Sequence, residues 1–185
     1  MIATAIYAGL RKGELFGLRW SDVALDAGRL DVNRSYMGLP KSGKPRHVPL
    51  HTELARILRQ WRVSCPSTNE VLVFPVKARS GGYIMGSKEH MLDLPAILAA
   101  AGCHVATKPW HALRHTFAAH AVMSGVSLYT LQRLLGHADA TMSARYAHLA
   151  PDFLAGEVAR MNFAAPRAGD VADLGEERRR AIAGT

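Results

Sequence analysis

Apolar residues recur at helical spacing along most of this chain and alternate with polar ones in only a short stretch, which confines the fold to helices packed around a small sheet. The alternation runs through RLDVNRS at residues 29 to 35 and resumes in RHVPL at 46 to 50, across the polar turn PKSGK. That arrangement predicts a β-hairpin. VLVF at 71 to 74 predicts a further strand. Helical spacing covers MIATAIYAGL, RKGELFGLRW as far as Ser21 and Asp22, TELARILRQW, SKEHMLDLPAILAAAG with an interruption at Pro95, and PWHALRHTFAAHAVMSG, where Pro109 suits a first turn and Gly125 a stop. VSLYTLQRLLG and DATMSARYAHL follow as two short helices around Gly136, which stands where a left-handed cap is expected, and PDFLAGEVARMNF is the last helix. The expected class is α+β, mostly helical, with a small antiparallel β-sheet.

A length of 185 residues fits one compact domain, taken here as residues 1 to 165, with 166 to 185 as a flexible tail whose charges cancel. The net charge of +8 therefore belongs to the domain and favours a polyanionic partner, nucleic acid ahead of a membrane surface. No apolar run approaches the ~18 residues of a membrane span, and no secretory leader is recognisable, so a cytoplasmic protein, nucleoid-associated when on DNA, is expected. Cys65 and Cys103 stand far apart without metal-like spacing and read as reduced thiols. The hairpin carries Arg34, Lys41, Lys44 and Arg46 and no acid from Val32 to Leu50, a candidate DNA-contacting surface whose plain alternative is a solvated loop.

The densest chemistry lies in HALRHTFAAH and LLGHADATMSARYAHL. His111 and Arg114, three apart, share a helix face, and His137 precedes Tyr146 by nine residues. Phosphoryl transfer needs cations for the non-bridging oxygens, a nucleophile, and a proton donor for the leaving oxygen. Arginine suits the first task because its planar fork binds two oxygens and stays charged. A tyrosine hydroxyl, with a reference pKa of about 10, serves as nucleophile only beside a base or in a cationic pocket.

These residues resemble the tyrosine recombinases, the phage integrase family, from about Ile2 to Phe163. In YAGLRKGELFGLRWSDV, Arg11 falls on the family's first catalytic arginine and Glu14 on the acidic residue that follows it. PKSGKPRHVPL resembles the family's hairpin, with Lys41 at the catalytic lysine; HALRH supplies His111 and Arg114, and LLGHADATMSARY supplies His137 and Tyr146. The resemblance implies attack of the Tyr146 hydroxyl on a phosphodiester of double-stranded DNA, a 3′-phosphotyrosyl link, and release of a 5′-hydroxyl, without metal or other cofactor. In that scheme Arg11 and Arg114 clamp the phosphate, Lys41 protonates the leaving oxygen, His111 helps remove the tyrosine proton, His137 donates to a phosphate oxygen, and Glu14 orients Arg11. Arg34, Lys44 and Arg46 are the added DNA contacts. The family also implies a homotetramer on DNA, with a monomer expected off it, and an N-terminal DNA-clamping domain that this chain is expected to lack.

The same residues admit two other readings. SLYTLQRLLGHADATMSARY also resembles a helix-turn-helix, which would make the protein a DNA-binding module without catalysis. A catalytically silent recombinase remnant is a further alternative. His111 and His115, one turn apart, raise zinc, but no carboxylate or cysteine completes a site, and His115 reads as a packing or hydrogen-bonding residue.

Overall fold

A computed structural model describes residues 1–36, 38–40, 44–66, 71–78, 80–85 and 93–150. The chain divides into Met1–Pro151 and Asp152–Thr185, and every element below belongs to the first unit. The expected helix PDFLAGEVARMNF lies outside the described residues.

Helix α1 (Ile2–Ala8) ends at Gly9, whose left-handed φ of 61° turns the chain into helix α2 (Lys12–Phe16). Glu14 accepts the Arg11 backbone N–H at 2.8 Å, an N-terminal cap that fixes where α2 starts. The sequence predicts one helix from Arg11 as far as Ser21 and Asp22. Instead α2 stops at Gly17 and a separate 3-10 turn spans Trp20–Asp22. The cause is tertiary: Val73 N–H bonds Leu18 O and Trp20 N–H bonds Val71 O, both at 3.0 Å, so these groups are bound across the chain instead of within a helix.

Strands β1 (Val23–Ala24), β2 (Arg29–Val32) and β3 (Arg46–Pro49) form an antiparallel sheet in that order, with Leu30 opposite both Val23 and Val48. The predicted pairing is present, but β2 stops at Val32 and does not reach residue 35. Asn33 and Arg34 turn their side chains to the buried Asp22 carboxylate, at 3.2 and 2.5 Å. Helix α3 (Thr52–Ser64) follows, then a second hairpin of β4 (Pro75–Lys77) and β5 (Tyr83–Met85). The strand expected at 71 to 74 is displaced to β4, because Val71 holds a φ of 51°, a region closed to extended chain and rare for a β-branched residue. Helix α4 (Leu94–Ala100) takes Pro95 into its first turn, where a missing N–H costs nothing, so this proline starts the helix and does not interrupt it. Residues 87–92, predicted as its beginning, lie outside the described residues.

Helix α5 (Pro109–Met123) begins on Pro109 as expected, and helix α6 (Leu128–Leu135) ends on the left-handed Gly136, φ 63°. Helix α7 (Thr141–Ala144) is shorter than predicted: Tyr146 N–H bonds Ser143 O, the chain tightens, and a 3-10 turn follows at Ala147–Leu149. One core gathers Leu10, Leu15, Leu30, Val48, Leu54, Trp110 and Leu113 among others, and a second gathers Ala118, Val122, Leu131, Leu135 and Tyr146. Helix α5 contributes to both, and Arg114, only 4% exposed, lies between its two apolar stretches.

Candidate active site

The last turn of a helix leaves carbonyls without intrahelical partners at the negative end of its dipole. At the end of α6 these oxygens are met in succession by arginines. Arg46 Nε donates to Leu134 O at 2.8 Å, Arg114 Nη2 to Leu135 O at 2.7 Å, and Arg11 Nη2 to Gly136 O at 3.2 Å. Arg114 Nη1 also donates to Gly9 O at 2.5 Å. The guanidiniums come from β3, α5 and the start of α2, so α6 is the template on which three distant segments are assembled.

Glu14, 2% exposed, is their shared carboxylate. Arg46 donates to it through both terminal nitrogens, at 2.9 and 2.8 Å, and Arg11 through one, at 3.1 Å. Burial pushes the Glu14 carboxyl up, but the Arg46 hydrogen bonds and charge, with Arg11 behind them, outweigh it and hold the group below the usual carboxylate range. Three guanidiniums against one carboxylate leave two excess positive charges. Burial, reinforced by Arg11, pulls Arg114 down to about 9, so it stays charged at neutral pH while favouring an anion beside it. Arg11 and Arg114 line a cleft of about 630 Å³ with Lys12, Lys108 and His111.

Of the arginines expected to contact DNA from the hairpin, one is buried and the other is half-buried in an ion pair. Arg46 is 8% exposed and committed to Glu14 and Leu134 O, so it builds the interior of the site. Arg34 is held by Asp22. Lys44 is exposed and lines a second cleft with Arg133 and His137, while Lys41 lies outside the described residues.

Tyr146 is 8% exposed and its ring packs in the second core. Its hydroxyl is hydrogen-bonded to His115 Nδ1. Burial pushes the phenol up, against the opposing pull of Arg114 and Arg145. Burial, then Arg114 and Arg145, lowers His115, which is therefore neutral near pH 7 and able to accept the phenolic proton. His111 stands edge-on to His115, ring centroids 4.4 Å apart, and the described residues show no hydrogen bond from it to Tyr146. The histidine that meets the Tyr146 hydroxyl is thus the one a turn after His111, a residue the sequence reads as packing or hydrogen-bonding. The i, i+4 spacing marks the pair, but nothing local chooses between them. His137 Nδ1 lies 2.9 Å from Ser143 Oγ, and burial, with Arg114, Arg11 and Arg46, lowers its imidazole to about 4.

Gly136 is required where these parts meet. A Cβ there would lie 3.0 Å from Arg46 Cδ, on a backbone that L residues rarely adopt. Gly136→Ala should lose at least about 1–2 kcal/mol from the left-handed backbone alone, read as a lower urea midpoint at unchanged m.

Comparison with known proteins gives a consistent picture. The model of the phage integrase family matches residues 1–152. A tyrosine recombinase XerC of Xanthomonas campestris pv. campestris (strain B100) is 35% identical over 142 residues, 77% of this chain and 41% of the relative. The catalytic domain of bacteriophage HP1 integrase matches with a TM-score of 0.62 at 23% identity, over 89% of this chain and 82% of that one. XerH bound to its difH substrate matches with a TM-score of 0.64 at 23% identity, over 87% and 46%. At such identities the structural likeness establishes the fold, and the chain spans less than half the length of the curated relatives it matches.

Proposed function

Because this chain belongs to the phage integrase family, that of the tyrosine recombinases, we propose that it performs site-specific recombination by breaking and rejoining duplex DNA, with Tyr146 as the nucleophile. The observation that carries the reading is the Tyr146 hydroxyl held by His115 and electrostatically coupled to Arg114, within an arginine cluster of excess positive charge.

In the proposed step, Arg11 and Arg114 hold the non-bridging oxygens of the scissile phosphate. The phenolic oxygen attacks phosphorus as its proton passes to His115 Nδ1. The bond to the 5′-oxygen breaks, that oxygen takes a proton from Lys41, and the 3′-phosphate remains esterified to Tyr146. His137 donates to a phosphate oxygen, and His111 supports the ring of His115. The ester conserves the bond, so a 5′-hydroxyl from another strand reverses the chemistry and completes an exchange.

The test is a pool of nicked suicide duplexes with randomised flanks, in which loss of a short 5′-hydroxyl fragment traps the cleaved state. A protein–DNA adduct that survives denaturation is the expected result. Retained duplex binding with no adduct across the pool would overturn the catalytic reading. Protonated His115 cannot accept, so the adduct rate should hold near neutrality and fall as pH drops through an imidazole pKa below the usual 6.5. His115→Ala should slow formation by roughly 10²–10⁴-fold, the usual contribution of a positioned base, and remove that acid limb. Equal rates in His115→Ala and wild type would return the role to His111.

A further inference from the structure

Ser143 has no part in the scheme above, yet its hydroxyl is bound to a ring the scheme uses. The residue is 1% exposed, on the four-residue helix α7, and its Oγ lies 2.9 Å from His137 Nδ1. We propose that Ser143 is a positioning residue for strand cleavage: its hydroxyl donates to His137 Nδ1 and so fixes the tautomer with the proton on Nε2, turning a donor toward the phosphate. The proposal rests on the recombinase reading and assigns one further residue to it.

The two partners differ in what each can donate and accept. A neutral imidazole has one N–H and one acceptor nitrogen, whereas a serine hydroxyl can donate or accept. If Nδ1 carried the proton and donated to Oγ, the serine O–H would need another acceptor in the interior, and the described residues show none for it. Leaving a buried donor unmet costs about 1–3 kcal/mol, enough to select the other arrangement by roughly one to two orders of magnitude. With the hydroxyl donating to Nδ1, both groups are satisfied and Nε2 bears the hydrogen.

The choice matters because a phosphate oxygen only accepts. His137 lines the second cleft with Lys44, Arg133 and Gly136, whose carbonyl accepts from Arg11 of the first; its Nδ1 is taken by Ser143, and Nε2 makes no hydrogen bond among the described residues. Its backbone is pinned by reciprocal bonds with Gln132: His137 N–H to Gln132 O at 3.1 Å, and Gln132 Nε2 to His137 O at 3.3 Å. With backbone and Nδ1 both held, the ring has a set direction. Arg11, Arg46 and Arg114 face the imidazole from three other segments, with His115 beside them, and together with burial they keep it neutral. Were it charged, both nitrogens would donate and the serine would be dispensable. Because it is neutral, an unfixed ring would spend part of its time presenting a lone pair to an anion.

The experiment reads the tautomer directly and the chemistry separately. In protein with ¹⁵N-labelled histidine, long-range ¹H–¹⁵N correlations show which ring nitrogen is protonated. Wild type is expected to show His137 with a bare Nδ1 and a protonated Nε2. Ser143→Ala, which leaves room for a water able to donate or accept, should give mixed tautomers with the backbone amide spectrum otherwise kept. Ser143→Thr retains the hydroxyl and should restore the single form. On suicide duplexes the alanine variant should form adduct roughly 10–100-fold more slowly, the range seen when a hydrogen-bond partner orienting an imidazole ligand is removed, and the threonine variant should recover. A proton on Nδ1 in wild type, or an alanine variant with unchanged tautomer and rate, would overturn the proposal. Should no variant, wild type included, form an adduct, the recombinase reading falls, while the spectra still decide whether Ser143 sets the tautomer.

Discussion

Tyr146→Phe is expected to abolish the covalent protein–DNA product while leaving the fold and duplex binding close to wild type. The substitution removes one oxygen from a side chain whose ring packs against the second core, so the apolar contacts with Leu131, Leu135 and Val122 persist. What disappears is the hydrogen bond to His115, a loss of about 1 kcal/mol or less in stability, because the exposed imidazole regains water. The effect on chemistry is of another order. No other tyrosine among the described residues shares the arrangement: Tyr7 stacks on His51, Tyr36 packs edge-on to Phe16, Tyr83 belongs to β5, and Tyr129 lies beside Arg133. With the suicide duplexes the measurement is the fraction of protein shifted to the denaturation-resistant band. Wild-type adduct with none from the phenylalanine variant, at equal duplex binding, is the predicted outcome. A persistent adduct in the variant would move the nucleophile elsewhere and remove the basis of the proposed mechanism.

The second large effect concerns stability. Glu14→Gln keeps the shape of the side chain but removes the negative charge that faces Arg46 and Arg11, with Arg114 close by. Breaking a buried ion pair by neutralising one partner leaves uncompensated charge in the interior, and the expected loss is about 3–5 kcal/mol. That is a large share of the stability of an ordinary domain. It should lower the urea midpoint without changing m. The sign of the pH dependence follows from the depressed carboxyl. Its stabilisation is present above the unfolded pKa of about 4.3 and is lost as pH falls through the lower folded value. The glutamine variant should therefore have a shallower acid limb below that pH. His137, lowered to about 4, makes its own loss at higher pH, between the ordinary imidazole value and the folded one, and the substitution leaves that part in place. A Glu14→Gln protein as stable as wild type would mean that the α6 carbonyls suffice to hold the three guanidiniums.

These two expectations differ in how visible their grounds were before the structure. The GLRKGEL segment, the HALRH box and the spacing from His137 to Tyr146 are local motifs, and their resemblance to the tyrosine recombinases named Arg11, Glu14, His111, Arg114, His137 and Tyr146 as candidates. Periodicity likewise anticipated α3, α5, α6 and the pairing of β2 with β3, because their cores and caps are written within a few turns of chain. The second hairpin, β4 with β5, was not anticipated: its strands are three residues each, too short for alternation to stand out.

By itself, then, the sequence determined helices α3, α5 and α6, the caps at Pro109 and Gly136, and the inventory of charged and nucleophilic groups, since neighbours in the chain set all of these. Only the tertiary structure decided how the inventory is used. Arg46 turned inward to a carboxylate 32 positions away, and Arg11 reached a carbonyl 125 positions away. Arg34 turned to Asp22, and His115 in place of His111 met a hydroxyl 31 positions on. Two histidines one turn apart on α5 are nearly equivalent in sequence. The break after Ala144 brings Tyr146 to one of them, and a choice that depends on where a separate helix ends is not encoded in the spacing of the residues that it selects.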